Sequence, residues 1–374
     1  MKAKWMAFFC ILIGMMILAA PFVFYRYQQQ YEILEVYKHL DQNPAPVNRT
    51  LPPKDDQEYI RILSIEGGGI YGILPAHVLA YLEAKSGHRI NEMFDLMVGT
   101  STGALQTVLL TIPGKDNQPK YTAKDVLAIY DHDGRDIFYN PWYHRLLTLN
   151  GALGPKYKTT ARYRLFEKYL DGLYFDQLIN NIVIPAYDLA TGTPDLFINW
   201  NEPGQDTNFA IANLLMGAVS PPGLFPGVTF GTHNQRFILI DGGIFANNPN
   251  LAAALIGMSI YPNKKYILVS IGTGWVDNPS PSTSKVVSWG ELQWSGDLLT
   301  TIFTSNAKFN TLLVQNMFPI PLDLYSLNTK VSGLDATLDN ISGWNIDRLN
   351  REGKRMVEEN QEVLDQLISR LLSP

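Results

Sequence analysis

The chain has 374 residues, 46% hydrophobic and 17% charged, a balance that permits a sizeable buried core and argues against general disorder. Its 30 basic and 35 acidic residues leave a net charge of −5 with no basic block, which argues against nucleic acid as the main partner. One cysteine, Cys10, excludes intrachain disulfides and cysteine-based metal sites, and the six histidines form no His-Glu-x-x-His run, so neither a metal nor another cofactor is expected.

The first predicted element is Trp5 to Tyr25, WMAFFCILIGMMILAAPFVFY, an uncharged run. As a helix it extends ~30 Å, the thickness of a bilayer's hydrocarbon core. Lys2, Lys4 and Arg26 flank it, and Trp5 and Tyr25 stand at interfacial positions. Residues 1–26 are therefore expected to be an uncleaved single-pass membrane anchor with Cys10 facing lipid. A cleaved signal, leaving a secreted protein, is the alternative; the length of the run and the lack of an Ala-x-Ala site favour retention. Lys2 and Lys4 favour a cytoplasmic tail, which puts the main domain outside the cytoplasm, whereas Arg26 and Lys38 pull the other way. Residues 27–57 read as a short polar helix and a linker broken by Pro44, Pro46, Pro52 and Pro53. The main domain is expected over 58–374, with its motifs in 61–274 and a helical part over 280–374.

Strands and helices then alternate. IRILSI (60–65) reads as a buried strand, followed by the turn EGGGIYG and a helix over about 74–84. FDLMVGT (94–100) is a second strand, with a helix over 101–112. NNIVIPAYDL (180–189), DLFINW (195–200), FILI (237–240) and KYILVSIGTG (265–274) are further strands, and a charged amphipathic helix closes the chain over about 347–372. Apolar strands alternating with helices imply an α/β fold with a mainly parallel central sheet covered on both faces.

VGTSTGAL places Ser101 between Gly99 and Gly103, at a strand-to-helix junction. That is the setting of a nucleophile elbow, where small neighbours let the serine hydroxyl project from a sharp turn. A small-residue turn without chemistry is the plainer reading. A serine nucleophile needs a base. The order Ser, acid, His fails, because no histidine follows His233, and His77 or His132 has no motif behind it.

Asp241 ends the apolar run FILI and precedes Gly242 and Gly243. It reads either as a turn-capping aspartate or as the base itself, paired directly with Ser101. A carboxylate has a reference pKa of about 4, so such a base needs a strong oxyanion site or an upward shift. Gly67, Gly68, Gly69 and Gly72 satisfy G-x-G-x-x-G, the dinucleotide fingerprint, yet the second strand ends in Gly-Thr-Ser instead of a ribose-binding acid. The expectation is that amides of Gly68 and Gly69, with Gly67, face an oxyanion.

EGGGIYG, GTSTG and DGGIFANNP, in that order, together with SPPGLFP (220–226) and VSIGTG (269–274), make the chain similar to the patatin-like phospholipases. The likeness runs from about Arg61 to Gly274, with a weaker match in SWGELQW (288–294). The resemblance implies a three-layer α/β/α fold, a Ser101–Asp241 dyad, an oxyanion loop at Gly67 to Gly69 and metal-independent hydrolysis of lipid acyl esters. Glu66 replaces the family's usual Asp, and Tyr71 replaces a common Arg or Lys. The aromatic segment 136–157 is expected either to shape the acyl-chain entrance and touch a bilayer or to pack beneath a long connection. Asn48 and Asn340 carry glycosylation patterns. A non-catalytic lipid-binding or scaffold protein and a nucleotide-binding module are the competing functional classes.

Overall fold

Side chains of both faces of one sheet account for most of the core. The protein is seen in a computed structural model that describes residues 2–40, 45–115, 118–170, 172–202, 207–231, 236–275, 290–331 and 337–373. Eight strands build the sheet: β1 Tyr59–Ile65, β2 Leu96–Gly99, β3 Asn181–Asp188, β4 Thr193–Ile198, β5 Val228–Gly231, β6 Arg236–Asp241, β7 Lys265–Ile271 and β8 Leu322–Leu327. The order is β8-β7-β1-β2-β3-β6-β5, with β4 also paired to β3. From β8 to β3 all pairings are parallel; β4, β6 and β5 are antiparallel additions.

The labelled helices are α1 Lys2–Leu40, α2 Ile73–Ser86, α3 Thr102–Leu109, α4 Ala123–Ile137, α5 Trp142–Leu147, α6 Thr159–Leu170, α7 Ile211–Ala218, α8 Gly243–Ala246, α9 Asn250–Ile260, α10 Glu291–Met317, α11 Gly343–Glu359 and α12 Gln361–Leu371. On one face of the sheet, Leu63, Ile65 and Met97 pack with α2, α3, α4 and α11. On the other, Ile60, Ile62, Leu96 and Val98 pack with Ala253 and Ala254 of α9. Burial on both faces is why these strands read as unbroken apolar runs.

Register places the site. Ile65 pairs with Ile271 and with Gly99, so β1, β2 and β7 end level. The glycine loop, Ser101 and Thr273 therefore leave the same edge of the sheet, where ligands of open α/β sheets bind.

One expectation needs correction. The apolar N-terminal run and the short polar helix expected after it form a single helix, α1, which reaches Leu40; the sequence from Phe22 to Leu40 holds no Gly or Pro to break it. The expected transmembrane anchor is not supported, because among the described residues no helix is long and apolar enough to cross a membrane. Side chains of residues 2–12 and 17–18, Cys10 included, lie outside the described ones. The later half of α1 docks on the domain through Tyr25, whose hydroxyl meets His144 Nδ1 at 2.6 Å, and through Glu32 with Lys158 at 3.1 Å.

The proline-rich linker is strapped to the domain. Arg49 donates to the carbonyls of Leu178 and Ile179 at 2.6 and 2.8 Å, and Ala45–Pro46 pair with Thr207–Asn208. The expected C-terminal helix is divided at Asn360 into α11 and α12. His233 and all of 276–289, including the start of SWGELQW, lie outside the described residues.

Candidate active site

β2 delivers Ser101 at a turn tight enough that a side chain at position 99 or 103 has no room. A Cβ at Gly99 falls 2.3 Å from Gly103 O, and one at Gly103 falls 2.3 Å from Ile65 O. Ser101 itself adopts φ 54° and ψ −119°, a conformation L-residues rarely hold. Such strain costs ~1–3 kcal/mol and persists only where surrounding contacts enforce it. Here Thr100 N donates to Ile65 O at 3.1 Å and Thr100 Oγ1 to Ala246 O at 2.6 Å. Ser101 also precedes the first turn of α3, whose free amides favour negative charge nearby.

Ser101 Oγ donates to Asp241 Oδ2 at 2.6 Å, across 140 positions of sequence. Asp241 is not on a strand parallel to β2. β3 offers one edge to β4 along Val183–Asp188, and its other edge is shared: β2 pairs with residues 181–183, β6 with 186–188. β2 and β6 thus run head to head along one strand, and their carboxyl ends face each other across ~10 Å of β3 backbone, three residues at ~3.3 Å each. The hydroxyl and the carboxylate close that gap.

Asp241 is fully buried. Oδ1 accepts the Gly243 amide at 2.8 Å, and the Asp241 amide donates to Ser220 O at 3.1 Å. Gly242 caps α8, which opens with Gly243. Burial pushes the Asp241 carboxyl up to about 6, against the bonds from Ser101 and Gly243 and the charge of Arg162. No histidine ring reaches Ser101 among the described residues: His77 bonds Asn350, His88 bonds Glu92, and His144 bonds Tyr25 and Pro155.

The glycine loop lies alongside. The Gly67 amide donates to Asn247 O at 2.8 Å, and Gly67 O accepts Thr273 Oγ1 at 2.8 Å. Among the described residues, the amides of Gly68 and Gly69 donate to no protein acceptor. Gly68 has no space for a side chain, since a Cβ there falls 2.5 Å from Thr273 Oγ1. Gly72 ends the 3₁₀ turn Gly69–Gly72, and its carbonyl accepts Gln106 Nε2 at 2.7 Å.

Behind the loop sits Glu66, whose neighbours sequence reasoning missed. It is buried, and its carboxyl accepts Asn247 Nδ2 and the Thr273 amide, each at 3.3 Å. Burial raises it to about 7. At Tyr71, where a cation is common in the resembled family, the hydroxyl meets Arg348 Nη2 of α11 at 3.3 Å.

An apolar pocket opens from Ser101, Gly68 and Gly69 between Leu105, Ile137, Phe138, Phe166, Phe225 and Leu338. SPPGLFP contributes Pro221, Leu224 and Phe225 to its wall, and segment 136–157 contributes Ile137 and Phe138. Tyr157 packs edge-on against Phe138 and tilted against Phe225, at 5.3 and 5.5 Å between ring centroids. Further along the same segment Trp142, Leu146 and Leu149 point into solvent. Among the described residues no group of three or more His, Cys, Asp or Glu gathers to hold a metal ion.

A strained serine elbow, a buried carboxylate bonded to it and an apolar pocket thus meet at one edge of an α/β sheet. The family model for patatin-like phospholipases matches residues 63–254, just over half of the sequence, and the chain belongs to that family. It is similar to patatin-like protein 2 of Oryza sativa subsp. indica, 28% identical over 369 residues, covering 86% of this chain and 89% of the relative. Patatin-like protein 1 of Arabidopsis thaliana is 30% identical over 289 residues, covering 68% and 69%. A Solanum tuberosum relative named "Probable inactive patatin-3-Kuras 1" is 25% identical over 350 residues, covering 84% and 91%.

Proposed function

We propose that the protein is a lipid acyl hydrolase that cleaves ester-linked fatty acids through Ser101 and Asp241. The observation that carries this reading is the 2.6 Å Ser101–Asp241 bond at the mouth of an apolar pocket. As Ser101 Oγ adds to the ester carbonyl, its proton passes to Asp241, and the oxyanion is received by the amides of Gly68 and Gly69. Collapse expels the alcohol, which takes the proton from Asp241 and leaves an acyl-Ser101. Water then adds to that acyl group with Asp241 again as base, and the fatty acid leaves as Ser101 regains its proton. Gly67 works in this scheme by bringing the loop against the elbow, its own amide being spent on Asn247.

The substrate class follows from the pocket, whose lining suits an acyl chain and offers little to a charged group. Exposed Trp142, Leu146 and Leu149 lie beyond the pocket wall. We read this side as the one that meets lipid aggregates. Ser101→Ala and Asp241→Asn are each expected to lower ester hydrolysis by at least about a thousandfold with the fold retained by circular dichroism. Full activity in either variant rules the scheme out.

A second reading, a lipid-binding protein without turnover, is favoured by the relative named as inactive. The bonded dyad in this chain supports the hydrolase instead. Lipid binding equal in wild type and Ser101→Ala, with no product from either, is the result that selects the binding protein.

A further inference from the structure

Arg162 of α6 is fully buried beside the candidate site. Its guanidinium donates to Val219 O at 2.6 Å, to Met216 O at 3.1 Å and to Ser220 Oγ at 2.8 Å. Ser220 Oγ in turn donates to Met216 O at 2.6 Å. All three acceptors belong to the end of α7 and the segment that follows it. That segment does two things at the site. Ser220 O holds the amide of Asp241 at 3.1 Å, and Phe225, with Arg162 Cζ 3.9 Å from its ring centroid, forms part of the pocket wall.

We propose that Arg162 is a positioning residue for the acyl-transfer site: its planar fork locks residues 216–220 so that Ser220 fixes Asp241 against Ser101, while its face braces Phe225 along the acyl chain. Lysine cannot do the same work, because one ammonium cannot both fork across three oxygens and lie flat on a ring. The charge adds a second effect. Within a buried site a cation favours the ionised carboxylate, so Arg162 opposes the burial that raises Asp241. The other polar groups around Asp241 are Ser101 from the elbow, the Gly243 amide of α8, and Asn306 of α10, which bonds Gly243 O. The remaining carboxylates on packed elements are Glu66, bonded to Asn247, and Asp188 of β3, bonded to the amides of Ala190 and Ile238. Arg162 is the cation whose charge acts on Asp241.

The proposal rests on the Ser101–Asp241 reading, so the test first establishes that Ser101 of the wild-type protein reacts with a fluorophosphonate; failure there overturns the dyad and this role with it, whereas a reactive Ser101 with unaltered Arg162 variants overturns the role of Arg162 alone. Arg162→Met and Arg162→Lys are then compared on a short-chain p-nitrophenyl ester and a long-chain one across pH. Arg162→Met is expected to lower kcat by about 10–100-fold and to move the acid limb of kcat/KM upward by about one unit. Arg162→Lys is expected to restore the limb but leave kcat low and KM for the long-chain ester raised. Folded variants with wild-type kcat, or a loss of kcat with the limb unmoved in Arg162→Met, overturn the proposal. Should both variants fail to fold, Ser220→Ala removes one guanidinium contact without deleting the charge. It is expected to lower kcat several-fold, and unchanged kcat overturns the proposal.

Discussion

In water a carboxylate is a poor base for a serine hydroxyl, with a pKa of about 4. At position 241 burial raises that value to about 6, which increases proton affinity while leaving the group largely ionised at neutral pH. The base must be ionised in the free enzyme, so kcat/KM is expected to rise with pH through a limb centred near 6 and to level above it. Initial rates on a soluble ester across the acid range check this, and a profile flat through pH 6 contradicts it. Ser101 and Asp241 were legible in the sequence because each sits in a local pattern, small residues around the serine and an apolar strand running into Asp-Gly-Gly. Glu66 and Arg162 were not. Their partners lie 181 and 207 positions away for Glu66 and 54 to 58 for Arg162, so only tertiary structure shows what they hold.

Elements, not single residues, set the oxyanion geometry. The Gly68 backbone is pressed against Thr273, which follows β7, while Gly67 abuts Thr100 and Ser101 of the elbow that follows β2. Adding one methyl group at Gly68 forces it against Thr273 Oγ1, 2.5 Å from the new Cβ. Gly68→Ala is therefore expected to lower kcat by about 10²–10³-fold with KM little changed, the pattern of a lost transition-state donor. Steady-state kinetics on the soluble ester reads it, and a loss confined to KM contradicts it. β1, β2, β3 and β7 could be read from sequence because strands buried on both faces are continuous apolar runs. The direction of β6 could not, since local pattern is the same for a parallel and an antiparallel strand. That direction is what turns Asp241 back toward Ser101. β8, LDLYSL, alternates and among the described residues pairs only with β7, so it lacks the continuous apolar signature of its neighbours. A helix past Arg26 was legible, but the contrast in composition hid that it is continuous with the apolar run, although nothing in the backbone chemistry there ends a helix.

For the molecule as a whole, the pocket wall and an exposed apolar surface lie on connected parts of the chain. Segment 136–157 lines the pocket with Ile137 and Phe138 and then exposes Trp142, Leu146 and Leu149. If that face meets lipid aggregates, charge placed there penalises aggregated substrate alone. Trp142→Asp combined with Leu146→Asp is expected to cut hydrolysis of vesicle lipid by at least about tenfold, from the apolar area withdrawn from lipid. Hydrolysis of a soluble ester is expected to stay near wild type; parallel assays on the two substrates check this, and equal losses on both contradict it.

The central claim is that an acyl group is carried on Ser101 with Asp241 as the proton carrier. Acid-quenched mass spectrometry of the protein during turnover of a p-nitrophenyl fatty-acid ester tests it most directly. The account predicts one acyl adduct, on the peptide containing Ser101, absent from Ser101→Ala and strongly reduced in Asp241→Asn. Turnover with no adduct, an adduct on another residue, or an undiminished rate of adduct formation in Asp241→Asn would contradict it.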